Sequence, residues 1–299
     1  MGVARFISLS VIILLIAWSA LPLVHATSVT WYPPYNAGFF QENLISKSGT
    51  SEHLGYAYGT PSNGTLFLWT QGEALGVGAV SSQASGGYGR SSQVFPFTAV
   101  SSEYMNAIKQ QLIYLENQTY QEMLQAEEHV ENITGMYGVF NNSSPPTLLA
   151  NLTMLGSAPI AFTATSSTVV SVVSNVQWVG YDYAYVIPLE GDGQAEVSVQ
   201  AILSVFDQTT GQTSMITMNG IPSTWSCSTT LTVCGPEPIN TVTSLSASFQ
   251  ATSGHEYQIE VYFVLSEVVV SVGADSFAQL DFYTHSGYGI TIQFISFNY

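Results

Sequence analysis

Hydrophobic and polar residues alternate with a period of two through most of the C-terminal half of this chain. Val169 to Val173, Val176 to Ile187, Ala195 to Phe206, Gln212 to Met218, Thr241 to Gln250, Tyr257 to Leu265, Glu267 to Val272, Phe277 to Tyr283 and Tyr288 to Phe297 all read as strands. Polar and glycine turns separate them, and no helical window survives after about Pro159. This density of strands predicts an antiparallel β-sandwich, jelly-roll-like, over 159–299. In the last strand Ile290, Ile292 and Phe294 alternate before Ile295, Phe297 and Tyr299 take over, which predicts a bulge near Phe294.

The N-terminal half mixes two periods. Thr27 to Tyr32 is a candidate strand stopped by Pro33-Pro34. Tyr56-Ala57-Tyr58 and Thr65 to Trp69 flank Pro61-Ser62-Asn63-Gly64, a hairpin signal. Gly72 to Gly89 holds Gly76-Val77-Gly78 without the full dinucleotide fingerprint, and reads as a flexible glycine-rich loop. From Met105 through Ile108, Leu112, Leu115, Thr119, Met123, Ala126, Val130 and Ile133 to Tyr137 the spacing becomes threes and fours. That predicts one amphipathic helix over 102–137, with Gly135 and Gly138 able to end it. Glu122, Glu127, Glu128, His129 and Glu131 read as its solvated acidic face. Asn141-Asn142-Ser143-Ser144-Pro145-Pro146, followed by the short apolar patch Leu148 to Leu152, reads as a linker over 139–158. The expected architecture is thus mainly β, with an N-terminal β-rich region plus helix (27–138), the linker, and a C-terminal antiparallel β-sandwich.

A different pattern opens the chain. Arg5 precedes an apolar run, Phe6 to Val24, closed by His25-Ala26. This is the layout of a secretory signal over residues 1–26, with cleavage after Ala26. The run of 19 residues is also just long enough for an uncleaved transmembrane anchor. Either way Thr27 onward is exported to the extracellular side or the cell surface.

Composition sharpens that reading. Asp and Glu number 20 against 4 Lys and Arg, and the four are Arg5, Lys47, Arg90 and Lys109. Clustered bases are missing, which excludes nucleic acid as a partner and disfavours an anionic membrane surface. Charged residues make up only 8 % of the chain, so few ion pairs exist to be lost in acid. The chain reads as suited to an acidic exterior, with an ordinary neutral-pH secreted protein as the alternative. Cys227 and Cys234 are expected to pair in an oxidising compartment. Six sequons, Asn63, Asn117, Asn132, Asn141, Asn142 and Asn151, mark candidate glycosylation sites.

Candidate chemistry is sparse. No nucleophile elbow, P-loop or metalloprotease motif occurs. Glu190, Asp192 and Glu196 lack calcium-loop spacing and read as a charged turn. Tyr181, Tyr183 and Tyr185 share one strand face, where an exposed row could stack on sugar rings.

Ser248 to Val261, with Gly254, His255 and Tyr257, resembles a strand-turn-strand of secreted archaeal and bacterial β-sandwich domains found in cell-surface proteins, adhesins and carbohydrate-binding modules. The resemblance is confined to the C-terminal half and implies a sandwich rather than an activity, with His255 hydrogen-bonding locally. Trp178-Val179-Gly180-Tyr181 resembles a segment of the acid-active glutamic peptidases, but their catalytic Gln and Glu have no counterpart placed here. The resulting expectation is a non-catalytic, glycosylated structural or adhesive surface protein without cofactor or metal. Its partners would be other surface proteins, a polysaccharide, or copies of itself by donation of the strand Thr27 to Tyr32. The alternative is a secreted carbohydrate-binding or hydrolytic protein working in acid, a glycosidase or carboxyl peptidase.

Overall fold

Strands much longer than the alternation predicts carry the fold. The computed structural model describes residues 28–35, 37–89, 100–140, 153–155, 162–221, 227–229 and 233–299. Eleven strands join in one antiparallel sheet: β1 (Ser28–Trp31), β2 (Ala37–Thr60), β3 (Thr65–Gly89), β4 (Thr153–Leu155), β5 (Phe162–Thr163), β6 (Thr168–Asp207), β7 (Gln212–Thr217), β8 (Cys227–Thr229), β9 (Val233–Ala251), β10 (Glu256–Asp281) and β11 (Gly289–Asn298). Among the described residues there is one helix, α1 (Val100–Thr134).

β10 and β11 follow one another along β6, Tyr257 to Asp281 pairing with Asp207 to Tyr181 and Gly289 to Asn298 with Val179 to Ser171. β3 lies on the far side of β10, and β2 beyond β3. β7, β8 and β9 occupy the other edge of β6.

Halfway along, this long ribbon folds over on itself. The register slips at Gly49/Ser51 in β2 and at Val272/Ala274 in β10. Gly49, Gly76 and Gly273 adopt φ values of +58°, +70° and +71° there, a left-handed conformation that a Cβ penalises. Gly191 of β6 completes the line, because a Cβ on it would strike the carbonyl of Val272. Beyond this crease the two halves of the same strands pack face to face. Trp178 meets Phe263 at 4.9 Å between ring centroids, and Phe162 meets Phe297 at 4.6 Å, although each pair is remote along the ladder. One continuous core fills the gap.

The half containing 50–75, 168–188, 233–251 and 274–298 is layer A, and the half containing 37–48, 77–89, 192–217 and 256–272 is layer B. Only layer B is covered by the helix. Ile108, Leu112 and Leu115 pack on Phe39, Ile202 and Tyr262, and Met123, Ala126 and Val130 on Val268, Val270 and Val272. Along β3 and β10, layer B is therefore buried on both faces, and layer A on one. The sequence carries that difference: Tyr257 to Val272 is buried without a break, whereas Val170 to Val186 alternates.

Several expectations change. Gly72–Gly89 is not a loop but most of β3, the central strand between β2 and β10. Its small residues make room for rings on neighbouring strands. A Cβ on Gly86 would press on Phe40, and one on Gly87 would overlap the backbone and Cβ of Tyr262. The sheet also runs across the expected division at 139–158, since β3 pairs with β10 along most of its length. Ile133 and Tyr137, placed on the apolar stripe, are exposed, because the helix ends at Thr134 and Gly135 turns the chain with φ +69°. Glu127 is buried rather than solvated. The bulge lies between Ile292 and Phe294, and the hairpin turn spans 61–64.

The transmembrane assignment is corrected as well: among the described residues no helix is long and apolar enough to cross a membrane. The apolar run Phe6 to Val24 lies outside the described residues.

The Gly87→Ala variant is expected to lose about 3 kcal/mol, because the new methyl meets backbone rather than a movable side chain. Urea unfolding at acid pH measures this, and wild-type stability would contradict the close approach.

Candidate binding face

Alternation about the layer A core fixes which side chains face outward. Leu66, Leu68, Trp178, Ala184, Ala278 and Leu280 point into the core. Their neighbours therefore line the opposite face, the one α1 leaves uncovered. The ladder arranges them in rows. Tyr56, Trp69, Asp281 and Tyr181 are cross-strand neighbours, as are Leu54, Gln71, Gln279 and Tyr183, and then Glu52, Glu73, Phe277 and Tyr185.

The rings touch in chains. Tyr56 stacks on Tyr283 at 4.1 Å, and Tyr283 meets Phe67 and Trp69 at 6.4 and 6.5 Å. Phe277 stacks on Tyr185 at 5.2 Å with an interplanar angle of 9°, and Tyr183 lies 5.6 Å from Phe277. Tyr181 meets Tyr288 at 6.1 Å. These rings are half-buried or exposed, so they pave the face instead of filling a core.

Polar groups sit among the rings. Gln71 offers a half-buried carboxamide, and that of Gln279 is buried between the strands. Asp281 is fully buried and engaged in its own turn, accepting the N–H groups of Tyr283 at 2.7 Å and Thr284 at 2.9 Å, and the Thr284 hydroxyl. Burial, reinforced by Asp281, pushes the Tyr181 hydroxyl up to about 12. Burial with Asp275 and Glu73 does the same for Tyr185. Both hydroxyls therefore stay neutral from acid to well above neutral pH. Trp69 Nε1 is a buried donor without a hydrogen-bond partner among the described residues. The arrangement offers flat apolar ring faces with hydroxyls, a carboxamide and the carboxyls of Glu52, Glu73 and Asp275 between them, chemistry that fits a ligand with apolar faces and hydroxyl edges.

The face unites Tyr181, Tyr183 and Tyr185, which period two places together in the sequence. It adds Tyr56, Tyr58, Phe67, Trp69, Phe277 and Tyr283, each visible as an alternating aromatic but not assignable to the same surface without knowing that the hairpin joins this sheet. The remaining candidates stay apart. Asn63 sits in the β2–β3 turn, its Oδ1 accepting the Thr65 N–H at 3.1 Å. Asn117 and Asn132 are exposed on α1, while Asn141, Asn142 and Asn151 lie outside the described residues. Cys234 is disulfide-bonded, and Cys227 is the chain's one other cysteine.

Glu190 and Asp192 lie at the crease of β6. Asp192 accepts the Gly193 N–H at 2.7 Å, and no group of three or more His, Cys, Asp or Glu that could hold a metal occurs among the described residues. His255 pairs with Asp207 at 2.8 Å. Trp178 is buried, its Nε1 donating to Thr243 at 2.8 Å. The segment Ser28 to Trp31, considered above as a donor strand, pairs along β11 in its own chain. A polar site absent from the sequence reading joins α1 to β2, where buried Glu116 accepts from Gln41 at 3.1 Å and Asn43 at 2.9 Å. No family model, curated protein or solved structure matches this chain.

If the rings are a surface rather than a core, their removal barely alters stability. Tyr183→Ala is expected to cost about 1 kcal/mol or less, against about 3–5 kcal/mol for buried Trp178→Ala. Calorimetric unfolding of the two variants decides it, and equal losses would return the aromatic face to the core.

Proposed function

We propose that this is an exported, non-catalytic surface protein of an acidic environment that adheres to neutral polysaccharide through the aromatic face of layer A. The carrying observation is that face, an array of contacting rings interleaved with carboxamides and left uncovered by the helix. An exposed aromatic surface of this extent marks an interaction site in a protein of ordinary solubility. Glu52, Glu73 and Asp275 lie among the rings and, wherever they are ionised, argue against an anionic polymer.

The test is co-sedimentation with insoluble neutral polysaccharides, with an anionic polysaccharide for comparison. Retention on at least one neutral polymer is expected, and the double substitution Trp69→Ala and Tyr183→Ala should weaken it at least tenfold, about 1.4 kcal/mol. Unchanged retention of that variant, or preference for the anionic polymer, would refute the reading.

Buried carboxyls support the acidic setting. Glu260 and Glu267 are at most 1 % exposed, on opposite faces of β10, and neither has a hydrogen-bond partner for both its oxygens among the described residues. Burial pushes Glu260 up to about 8 and Glu267 well above the usual carboxyl range. Asp182 rises to about 6 through burial, with Glu237 adding to it. The folded state thus keeps protons that the unfolded chain releases near pH 4.5 at the two glutamates, and lower still at Asp182. Their contribution is fully present below those pH values and is lost as pH climbs through the folded values, up to about 8 for Glu260.

For Glu260 alone the loss is on the order of a few kcal/mol, or roughly 10 °C in Tm for a domain of this size. Scanning calorimetry between pH 3 and pH 8 should show Tm falling as pH rises, and a Glu260→Gln, Glu267→Gln variant should flatten that slope. A Tm that rises toward neutral pH would remove this support.

A second reading rests on Glu52 and Glu73, which face each other across β2 and β3 beside a depression of about 460 Å³ that also takes in Lys47 and Leu75. Carboxyls on paired strands stand about 5 Å apart at Cβ, near the shorter of the two separations used in glycoside hydrolysis. Release of reducing ends from a bound polymer, abolished by Glu73→Gln, would favour that reading over adhesion.

A further inference from the structure

On the opposite side of the molecule a groove of about 450 Å³ runs between α1 and β7. Leu115, Ile202 and Met215 supply apolar lining, while Gln111, Gln118 and Gln200 contribute carboxamides. Tyr114 and Thr217 add hydroxyls, and no lining residue is a carboxylate or a base. Such a groove has no counter-charge for an ion. Its carboxamides and apolar patches suit a neutral, polyhydroxylated ring.

The sequon Asn117-Gln118-Thr119 overlaps the lining at Gln118. At 100° per residue, Asn117 lies about 60° around the helix from Tyr114 and nearly one turn further along. Tyr114 comes between Asn117 and the groove, with 56 % of its surface exposed. Asn117 itself is exposed, but the third residue of its sequon is not: Thr119 is 3 % exposed. The Thr119 hydroxyl donates to the Leu115 carbonyl at 3.2 Å and accepts from Gln83 of layer B at 2.7 Å. A transferase that must reach this hydroxyl can do so only before α1 docks.

We propose that Asn117 carries a neutral N-linked glycan, attached before α1 packs on layer B, whose first sugars lie over Tyr114 and occupy the groove between α1 and β7. The proposal rests on the export reading and is independent of the aromatic face.

The experiment uses the full chain secreted from a glycosylating host. Glycopeptides are mapped by mass, and release of each glycan from the native protein by a glycosidase is timed. Asn117 is expected to be occupied, and its glycan to be released at least tenfold more slowly than the one on Asn132, which stands exposed near the helix end. Tyr114→Ala should leave Asn117 occupancy unchanged and bring its release rate to that of Asn132. An occupied Asn132 with an empty Asn117, or equal release rates in the unsubstituted protein, overturns the seated glycan. A secreted chain without any glycan also overturns it, whereas a chain that the host retains inside the cell overturns the export reading beneath it.

Discussion

A hydrogen-bonded sheet cannot bend one strand at a time. Each long strand here is held to its neighbours on both sides of the crease, so a bend in one must fall level with the bend in the next. Gly49, Gly76, Gly191 and Gly273 meet that demand from four separate parts of the sequence. Three of them take left-handed φ, and the fourth lies where a side chain would collide with the Val272 carbonyl. The coincidence brings Trp178 onto Phe263 and Phe162 onto Phe297, so the whole interlayer core depends on it. Displacing one bend by a single residue would also turn that strand's apolar side chains to the wrong face.

The crease creates two unlike layers from the same strands. Layer B, between the helix and layer A, is buried on both faces along β3 and β10, where it is filled by apolar residues, small residues and a few neutralised polar ones. Its glycines are contact points as much as hinges: Gly87 lies against Tyr262 and Gly86 against Phe40, ring and missing side chain being complementary. Gly72 in layer A plays the same part for Glu267, whose carboxyl occupies the space a Cβ would take. Layer A keeps one face free of the helix, and aromatics from four of its strand segments collect there.

The mainly β character was legible because period-two alternation is written strand by strand, and even the bulge beside Phe294 showed as a change of phase. The helix was legible from its stripe. The crease was not, because Glu190-Gly191-Asp192-Gly193 has turn composition, and composition does not distinguish a turn that ends a strand from a bend that carries it into another layer. The same ambiguity made Gly72–Gly89 look like a loop, since the pairing that makes it a central strand comes from β10, far away in the chain. Tyr181, Tyr183 and Tyr185 could be placed on one face locally. Their union with Tyr56, Trp69 and Tyr283 required the register across the sheet, which no local pattern encodes.

The low charge of the chain links its interior to its surface. A fold with almost no bases cannot neutralise buried carboxylates by ion pairing, so Glu260 and Glu267 depend on protons instead. Acid supplies those protons, and the same acid leaves the face of layer A intact, because its rings and carboxamides need no charge and the hydroxyls of Tyr181 and Tyr185 hold their protons up to about 12. A surface built on ion pairs would lose partners under the conditions that firm the core. Stacking on uncharged rings requires no ion pairs, so the neutral polymer proposed above as ligand is compatible with both the inside and the outside of this molecule.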